Sequence, residues 1–232
     1  MFKNLIIFAA GLGTRMLPLT NIIPKSLIKI KGKPILYYTL EEALNFGCTN
    51  IVINTHHLAE QIHKSVDSFI ANNPSAQGKI TLVHEKDILE TGGAIKNASK
   101  YFDENIIFTV NSDSFTINKL NIFSFMANNW RGDMRALMLV HPVETAVGYE
   151  GKGDFWLNED NSIRLETGAK PFVYTGLQLT RTDHIISYPE AKFSLGRFFE
   201  NDKNIYGILN PGQYYHLTNI KNIMEIEDNI VC

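Results

Sequence analysis

The sequence predicts an α/β fold in which a mostly parallel sheet is flanked by helices. Three observations carry this. Short apolar segments without polar alternation recur through the first half, as expected of strands buried on both faces. Segments with apolar residues at helical spacing separate them, which is the pattern of successive βαβ units. The second half changes character and carries a hairpin signal, which predicts antiparallel strands inserted on one side.

Residues 5–8 read as the first strand. Residues 34–46 read as a helix, with Leu36, Leu40, Ala43 and Leu44 at helical spacing and Gly47 as its stop. Residues 51–53 form a second strand. Residues 58–70 form a helix with Leu58, Ile62, Val66, Phe69 and Ile70 on one face. A strand at 80–83, a helix at 92–101 and a strand at 106–110 follow, then a strand at 136–141. Residues 153–157 and 162–165 flank Asn158-Glu159-Asp160-Asn161, a hairpin turn. A strand at 172–179, a helix at 194–200, a strand at 214–217 and a closing helix at 219–228 complete the chain. The aromatics Phe193, Phe198 and Phe199 read as core. No linker, repeat or low-complexity segment interrupts residues 1–232, so one domain is expected, without a second domain or extension.

Composition excludes several classes. A hydrophobic fraction of 44% with 11% aromatics excludes a disordered chain. The 22 basic and 24 acidic residues leave a net charge of −2, and the six arginines are scattered, so no basic face for nucleic acid is expected. No apolar run approaches the ~20 residues of a membrane helix. Residues 5–10 follow Lys3 as a signal-peptide core might, but the run is short and a glycine loop follows it. Cys48 and Cys232 make no disulfide framework, which fits a reducing, cytoplasmic compartment.

The strongest signal lies directly after the first strand. Ala10-Gly11-Leu12-Gly13-Thr14-Arg15 is followed by Pro18 and then by Pro24-Lys25-Ser26-Leu27. Glycines there let backbone N–H groups approach an anion closely. The Arg15 guanidinium matches phosphate oxygens bidentately, and Lys25 adds a compact charge. The alternative is a turn whose glycines serve only backbone geometry. The spacing is neither the dinucleotide G-x-G-x-x-G, since residue 16 is Met, nor the P-loop, since no Gly-Lys-Ser/Thr follows.

Gly11-Leu12-Gly13-Thr14-Arg15-Met16 with Pro18-Leu19-Thr20 and Pro24-Lys25 resembles the signature of sugar-1-phosphate nucleotidyltransferases. Glu90-Thr91-Gly92-Gly93-Ala94 resembles that family's nucleoside-contacting loop, and Asn111-Ser112-Asp113 its metal-binding strand end. Gly153-Asp154-Phe155 and Tyr174-Thr175-Gly176-Leu177 resemble its sugar-side strands. The resemblance implies a Rossmann-like sheet with a small antiparallel insertion on the sugar side. Residues 1–113 would be the nucleotide-binding half and 114–232 the sugar-binding half. It implies transfer of a nucleotidyl group from an NTP to a sugar 1-phosphate, with Mg²⁺ as cofactor and Mn²⁺ as the alternative.

The resemblance assigns roles residue by residue. Ala10, Gly11, Leu12, Gly13 and Thr14 would cradle the triphosphate, and Arg15 would hold the leaving pyrophosphate. Lys25 would stabilise the α-phosphate, and Asp113 would bind the metal. Glu90, Gly92, Gly93 and Asn111 would meet the nucleoside, the glycines leaving room for the base. Asp154, Glu166, Lys170, Thr175 and Gly176 would meet the sugar. Asp154 reads equally as a hairpin surface carboxylate, and Glu166 with Lys170 as a solvated turn.

Two departures from the family pattern stand out. Ser112 replaces a usual glycine. His216 stands where a second metal-binding aspartate is usual, and imidazole is a poor Mg²⁺ ligand. Either Asp113 and substrate phosphates hold the metal, or His216 recruits a softer ion, or activity is lost. His56 and His57 are adjacent and point apart, against a shared metal, and His84 is placed to line the base pocket. Within the family the similarity is strongest to the short N-acetylmuramate-1-phosphate uridylyltransferases, with the mannose-1-phosphate guanylyltransferases next. The expected substrates are therefore UTP or GTP and a sugar 1-phosphate, for a monomer or small homo-oligomer without nucleic-acid or membrane partners. The competing reading is a degenerate relative that binds a nucleotide or nucleotide sugar without turnover.

Overall fold

Alternating residues along the first strand face opposite ways, and both ways are apolar. In the computed structural model, which describes residues 2–199, 202 and 204–230, Leu5 and Ile7 enter one core while Ile6 enters another. Ile51 and Ile53 against Val52 repeat the division. A sheet buried on both faces follows, with helices on each side.

The central sheet has seven strands: β1 Asn4–Phe8, β2 Asn50–Thr55, β3 Ile80–His84, β4 Ile106–Asn111, β5 Ala136–Pro142, β6 Phe172–Arg181 and β7 Ile205–Leu209. Their spatial order is β7-β5-β6-β4-β1-β2-β3. β1 pairs in parallel with β2 and with β4, and β2 with β3. β6 is antiparallel to both β4 and β5, and β7 is parallel to β5. The mostly parallel sheet with an antiparallel insertion is therefore present. The expected hairpin also forms, as Trp156–Leu157 paired with Ile163–Arg164.

Helices Ile35–Phe46 and Ala59–Asn72 cover the face that contains Leu5 and Ile7, and Glu90–Ala98 covers the opposite face. Gly47 ends the first of these in the left-handed region at φ 103, donating its N–H to Ala43 and Leu44 carbonyls. Cys48 beside it is buried, and burial pushes its thiol up to about 12, so it remains a protonated packing group.

Several elements differ from the sequence expectation. β7, the short strand Ser114–Ile117 and the helix Ile122–Asn128 are additional. β7 was hidden by Gly207, which a strand pattern disfavours. Its lack of a side chain makes room for Leu157, whose Cδ2 would lie 2.5 Å from a Cβ at this position. Gln213–His216, slightly shifted from the expected strand, pairs antiparallel with Ser114–Ile117 rather than joining the central sheet. The closing helix is Asn222–Asn229, and Gly196–Phe199 is the only described part of the helix expected at 194–200. Glu200 and Cys232 lie outside the described residues. Phe193 is buried, while Phe198 and Phe199 pack at the core margin.

Candidate active site

The carboxyl ends of β1 and β4 lie side by side, where open α/β sheets place ligands. The chain leaving β1 passes through Gly13 at φ 65 into the short turn Thr14–Met16. Two contacts shape that turn. Thr20 Oγ1 donates to the Gly13 carbonyl at 2.9 Å, and Met16 is wholly buried as an anchor. Gly11, Leu12, Thr14 and Arg15 are thereby held out at the surface, while Ala10 is buried. A Cβ on Gly13 would lie 2.8 Å from Thr20 Cγ2, so this glycine is required for the close approach as well as for its φ.

Two cavities meet at the end of β4. The smaller, about 90 Å³, is lined by Phe8, Ala9, Gly11, Gly13, Lys25, Ser26, Asn111, Ser112 and Asp113. The larger, about 440 Å³, has Arg15, Tyr149, Asp154, Lys170, Tyr174 and His216 on its walls. Asn111 and Asp113 line both. Asp113 thus stands at the junction between a glycine-walled recess and a roomier cleft with aromatic sides.

Asp113 Oδ2 accepts a hydrogen bond from Lys25 Nζ at 2.8 Å, and His216 Nε2 lies 3.6 Å from the same oxygen. Burial alone would raise the carboxyl pKa. The His216 ring and the Lys25 charge outweigh that, and Asp113 is held below the usual carboxylate range. His216 sits opposite Ser114 in the small two-stranded sheet. Its Nδ1 is 3.2 Å from Thr218 Oγ1, whose own proton goes to the Gly148 carbonyl at 2.7 Å. The proton between them therefore belongs to Nδ1, and Nε2 is the ring nitrogen that faces Asp113. One carboxylate oxygen and one imidazole nitrogen thus face each other at 3.6 Å, with Lys25 on the same oxygen. The carboxylate suits Mg²⁺ shared with phosphate oxygens, whereas the imidazole suits a softer ion. Among the described residues no three His, Cys, Asp or Glu side chains gather as a metal site.

The departure at Ser112 costs the recess little. Its hydroxyl turns to the Phe8 carbonyl at 2.6 Å and ties the ends of β4 and β1 together. Ser26 lines the recess with a buried hydroxyl that has no hydrogen-bond partner among the described residues. The motif around Lys25 contained Ser26, but nothing in the sequence set it apart from its neighbours.

The sugar-side expectations divide. Asp154 and Lys170 both line the larger cleft. Asp154 Oδ2 accepts from the Tyr174 N–H at 2.8 Å. Burial raises its pKa against the opposing pull of that hydrogen bond, Lys170 and His216. Three others are corrections. Glu166 is exposed, is paired with Arg164 at 3.2 Å and does not line the cleft, although its neighbour Leu165 does. Thr175 is buried and its hydroxyl donates to the Leu139 carbonyl at 2.9 Å, so strand alternation presents Tyr174 instead. Gly176 is packed behind Asn111 at φ 89, where a Cβ would lie 2.8 Å from Asn111 Cβ. Tyr149, Tyr174, Phe199 and Tyr214, which sequence reasoning did not select, supply much of the cleft wall.

Gly92 and Gly93 also have a packing role beside the one expected. Both N–H groups donate to the Phe193 carbonyl, at 2.9 and 3.1 Å. A Cβ would meet the Phe193 ring at 2.2 Å in the first case and the Ala191 carbonyl oxygen at 2.3 Å in the second. These glycines let the 191–195 segment pack onto the helix Glu90–Ala98. Glu90 is exposed and begins that helix at φ 61. His56 and His57 do point apart, to the Glu85 and Thr20 carbonyls. His84 is exposed and stacks on His56.

Comparison with known proteins identifies this arrangement. Residues 4–150 match the family model described as nucleotidyl transferase. The chain belongs to the nucleotidyl transferase family. This nucleotidyl transferase is 27% identical over 223 residues to the N-acetylmuramate alpha-1-phosphate uridylyltransferase of Caulobacter vibrioides, covering 93% of this chain and 91% of that one. It is 27% identical over 218 residues to the bifunctional protein GlmU of Aliarcobacter butzleri, of which it spans 45%. Its fold superposes on HddC from Yersinia pseudotuberculosis, solved in complex with GMP-PN, with a TM-score of 0.79, 25% identity and coverage of 98% and 99%. The expected likeness to sugar-1-phosphate nucleotidyltransferases is thus borne out, and with it the assignment as an enzyme.

Proposed function

We propose that this nucleotidyl transferase couples UTP to N-acetylmuramate 1-phosphate. The observation that carries the reading is the junction at Asp113. A recess with glycine walls and Lys25 on one side opens to a cleft with Asp154, Lys170 and aromatic rings on the other. Two phosphate-bearing substrates can meet there end to end. The phosphate oxygen of the sugar 1-phosphate attacks the α-phosphorus of the NTP in line. The bond from the α-phosphorus to the bridging oxygen breaks, and the electron pair leaves with pyrophosphate.

Such a reaction needs alignment and charge neutralisation rather than a covalent intermediate. The loop Ala10–Thr14 offers backbone N–H groups to the triphosphate, and Arg15 receives the departing pyrophosphate. Lys25 moves from Asp113 toward the α-phosphate oxygens. Asp113 would hold Mg²⁺ through its freed oxygen, and the bound ion would supply positive charge to the phosphate oxygens. Lys170 faces the phosphate of the sugar substrate, and Tyr174 and Tyr149 supply flat walls for its ring.

The near full-length likeness to an N-acetylmuramate-1-phosphate uridylyltransferase supports the substrate pair. The structural likeness to HddC bound to GMP-PN favours guanylyl transfer as the second reading, and a 30% identity over 110 residues to a mannose-1-phosphate guanyltransferase of Xenopus laevis supplies mannose 1-phosphate as its acceptor. Pyrophosphate release decides between them. UTP with N-acetylmuramate 1-phosphate in Mg²⁺ is expected to turn over at least ten times faster, in kcat/KM, than GTP with mannose 1-phosphate. A reversed ratio selects the second reading. Nucleotide binding without pyrophosphate release from any pair, in Mg²⁺ or Mn²⁺, selects a binding protein.

A further inference from the structure

Three adjacent parallel strands end in residues that the nucleotide chemistry above does not use. Ala9 follows β1, Asn54 lies near the end of β2, and Glu85 follows β3. All three are buried, Glu85 to within 2% of full burial. They form one unbroken chain of hydrogen bonds. The Ala9 N–H donates to Asn54 Oδ1 at 2.8 Å. Asn54 Nδ2 donates to Glu85 Oε1 at 2.8 Å. The Leu89 N–H donates to Glu85 Oε2 at 3.1 Å. Glu85 itself is pinned, its N–H donating to the Thr55 carbonyl at 2.7 Å.

The two ends of this chain matter. Ala9 immediately precedes the phosphate-cradling loop Ala10–Thr14. Leu89 immediately precedes Glu90, which turns through φ 61 to open the helix that carries Gly92 and Gly93. A carboxylate is the side chain that this position demands. Both groups facing it are N–H donors, so only an acceptor at each oxygen leaves no buried polar atom unpaired. A glutamine would oppose a donor to a donor, whichever way its amide lay.

We propose that Glu85, acting through Asn54, is a positioning residue that sets the spacing between the phosphate loop and the Leu89–Gly93 turn, and so presents both to one nucleotide. It rests on the reading of that region as the nucleotide site. Glu85 is 2% exposed and both of its carboxylate oxygens are taken by protein donors, which leaves it a positioning role. Its effect falls on NTP affinity rather than on the sugar-phosphate cleft, whose Asp154, Lys170 and Tyr174 belong to other segments.

The polarity of the chain supplies the test. Glu85→Gln alone brings two donors together, and Asn54→Asp alone brings two acceptors together. The pair of changes in one chain restores every bond: an aspartate at 54 accepts from Ala9 and from the glutamine amide, whose oxygen accepts from Leu89. Calorimetric titration with UTP and with GTP, in Mg²⁺, is run on wild type, both single variants and the double variant. Each single variant is expected to weaken NTP binding roughly tenfold or more, and the double variant to recover to within about threefold of wild type. KM for the sugar phosphate in the pyrophosphate assay is expected to change less than about twofold throughout. Equal NTP affinity in all four proteins, or a double variant no better than the singles, overturns the proposal. So does parallel weakening of both substrates. If the single variants do not fold, the double variant decides alone, by folding with near wild-type NTP affinity or not. Wild type that binds NTP without transfer defeats the proposed reaction and leaves this comparison intact; wild type that binds neither UTP nor GTP overturns both.

Discussion

Lys25 Nζ and His216 Nε2 approach one oxygen of Asp113, and that shared oxygen explains what each residue contributes. Lys25 is 11% exposed in its side chain, so its charge acts with little screening by water. Replacing it with Ala removes the cation at the α-phosphate and leaves Asp113 without its nearest partner. The expected result is a fall in kcat of at least ~100-fold, in the range for loss of one electrostatic contact to a transition state, with circular dichroism unchanged. A rate within a few-fold of wild type would remove Lys25 from the mechanism. His216→Asp tests the second departure from the family pattern. Two carboxylates then face each other, so the variant is expected to melt below wild type in chelator and to gain the larger Tm shift from Mg²⁺. Equal Mg²⁺ shifts in the two proteins would show that position 216 takes no part in holding the ion.

The elements around the site are set by close packing as much as by propensity. The helix Glu90–Ala98 begins with two glycines, which ordinarily weaken a helix. They are kept by the segment that carries Ala191 and Phe193, which leaves no room for a Cβ at either position. Gly93→Ala forces a methyl against a backbone oxygen 2.3 Å away. Overpacking of this kind costs about 2 kcal/mol, which for a chain of this length lowers Tm by roughly 5 °C. An unchanged melting curve would mean that the 191–195 segment yields freely. β6 shows the same logic. Its pairing with β5 shifts register between Tyr174 and Gln178, where Gly176 turns through φ 89. Beside it the Thr175 hydroxyl goes to the Leu139 carbonyl, while Tyr174 stands on the cleft wall.

At the scale of the molecule, the sheet brings together segments far apart in the chain. Lys25 and Asp113 are 88 residues apart, and Asp113 and His216 more than a hundred. Both cavities exist only in the folded state, so a ligand that fills them adds to stability. Saturating Mg²⁺–UTP, at about 100 times its Kd, is expected to stabilise the protein by about 2.7 kcal/mol and to raise Tm accordingly. Inorganic phosphate at the same concentration is expected to raise it far less. No shift with UTP, GTP, CTP or ATP would contradict a nucleotide site in the smaller recess.

Local chemistry carried much of this into the sequence. Unbroken apolar strands between helical periods required a sheet buried on both faces, because each strand had no polar side to offer water. The glycine loop with Arg15 and Lys25 was legible because successive backbone N–H groups and two cations within ten residues have few other uses. Only the tertiary structure decided the rest. Whether Thr175 or Tyr174 meets the cleft depends on which face of β6 is turned toward it, since a strand's side chains change face with every residue. Glu166 pairs with Arg164 on the surface, a pairing that spacing alone leaves open. The chain from Ala9 through Asn54 and Glu85 to Leu89 joins the ends of three strands. Its meaning lies in donors and acceptors that meet only when those strands lie side by side.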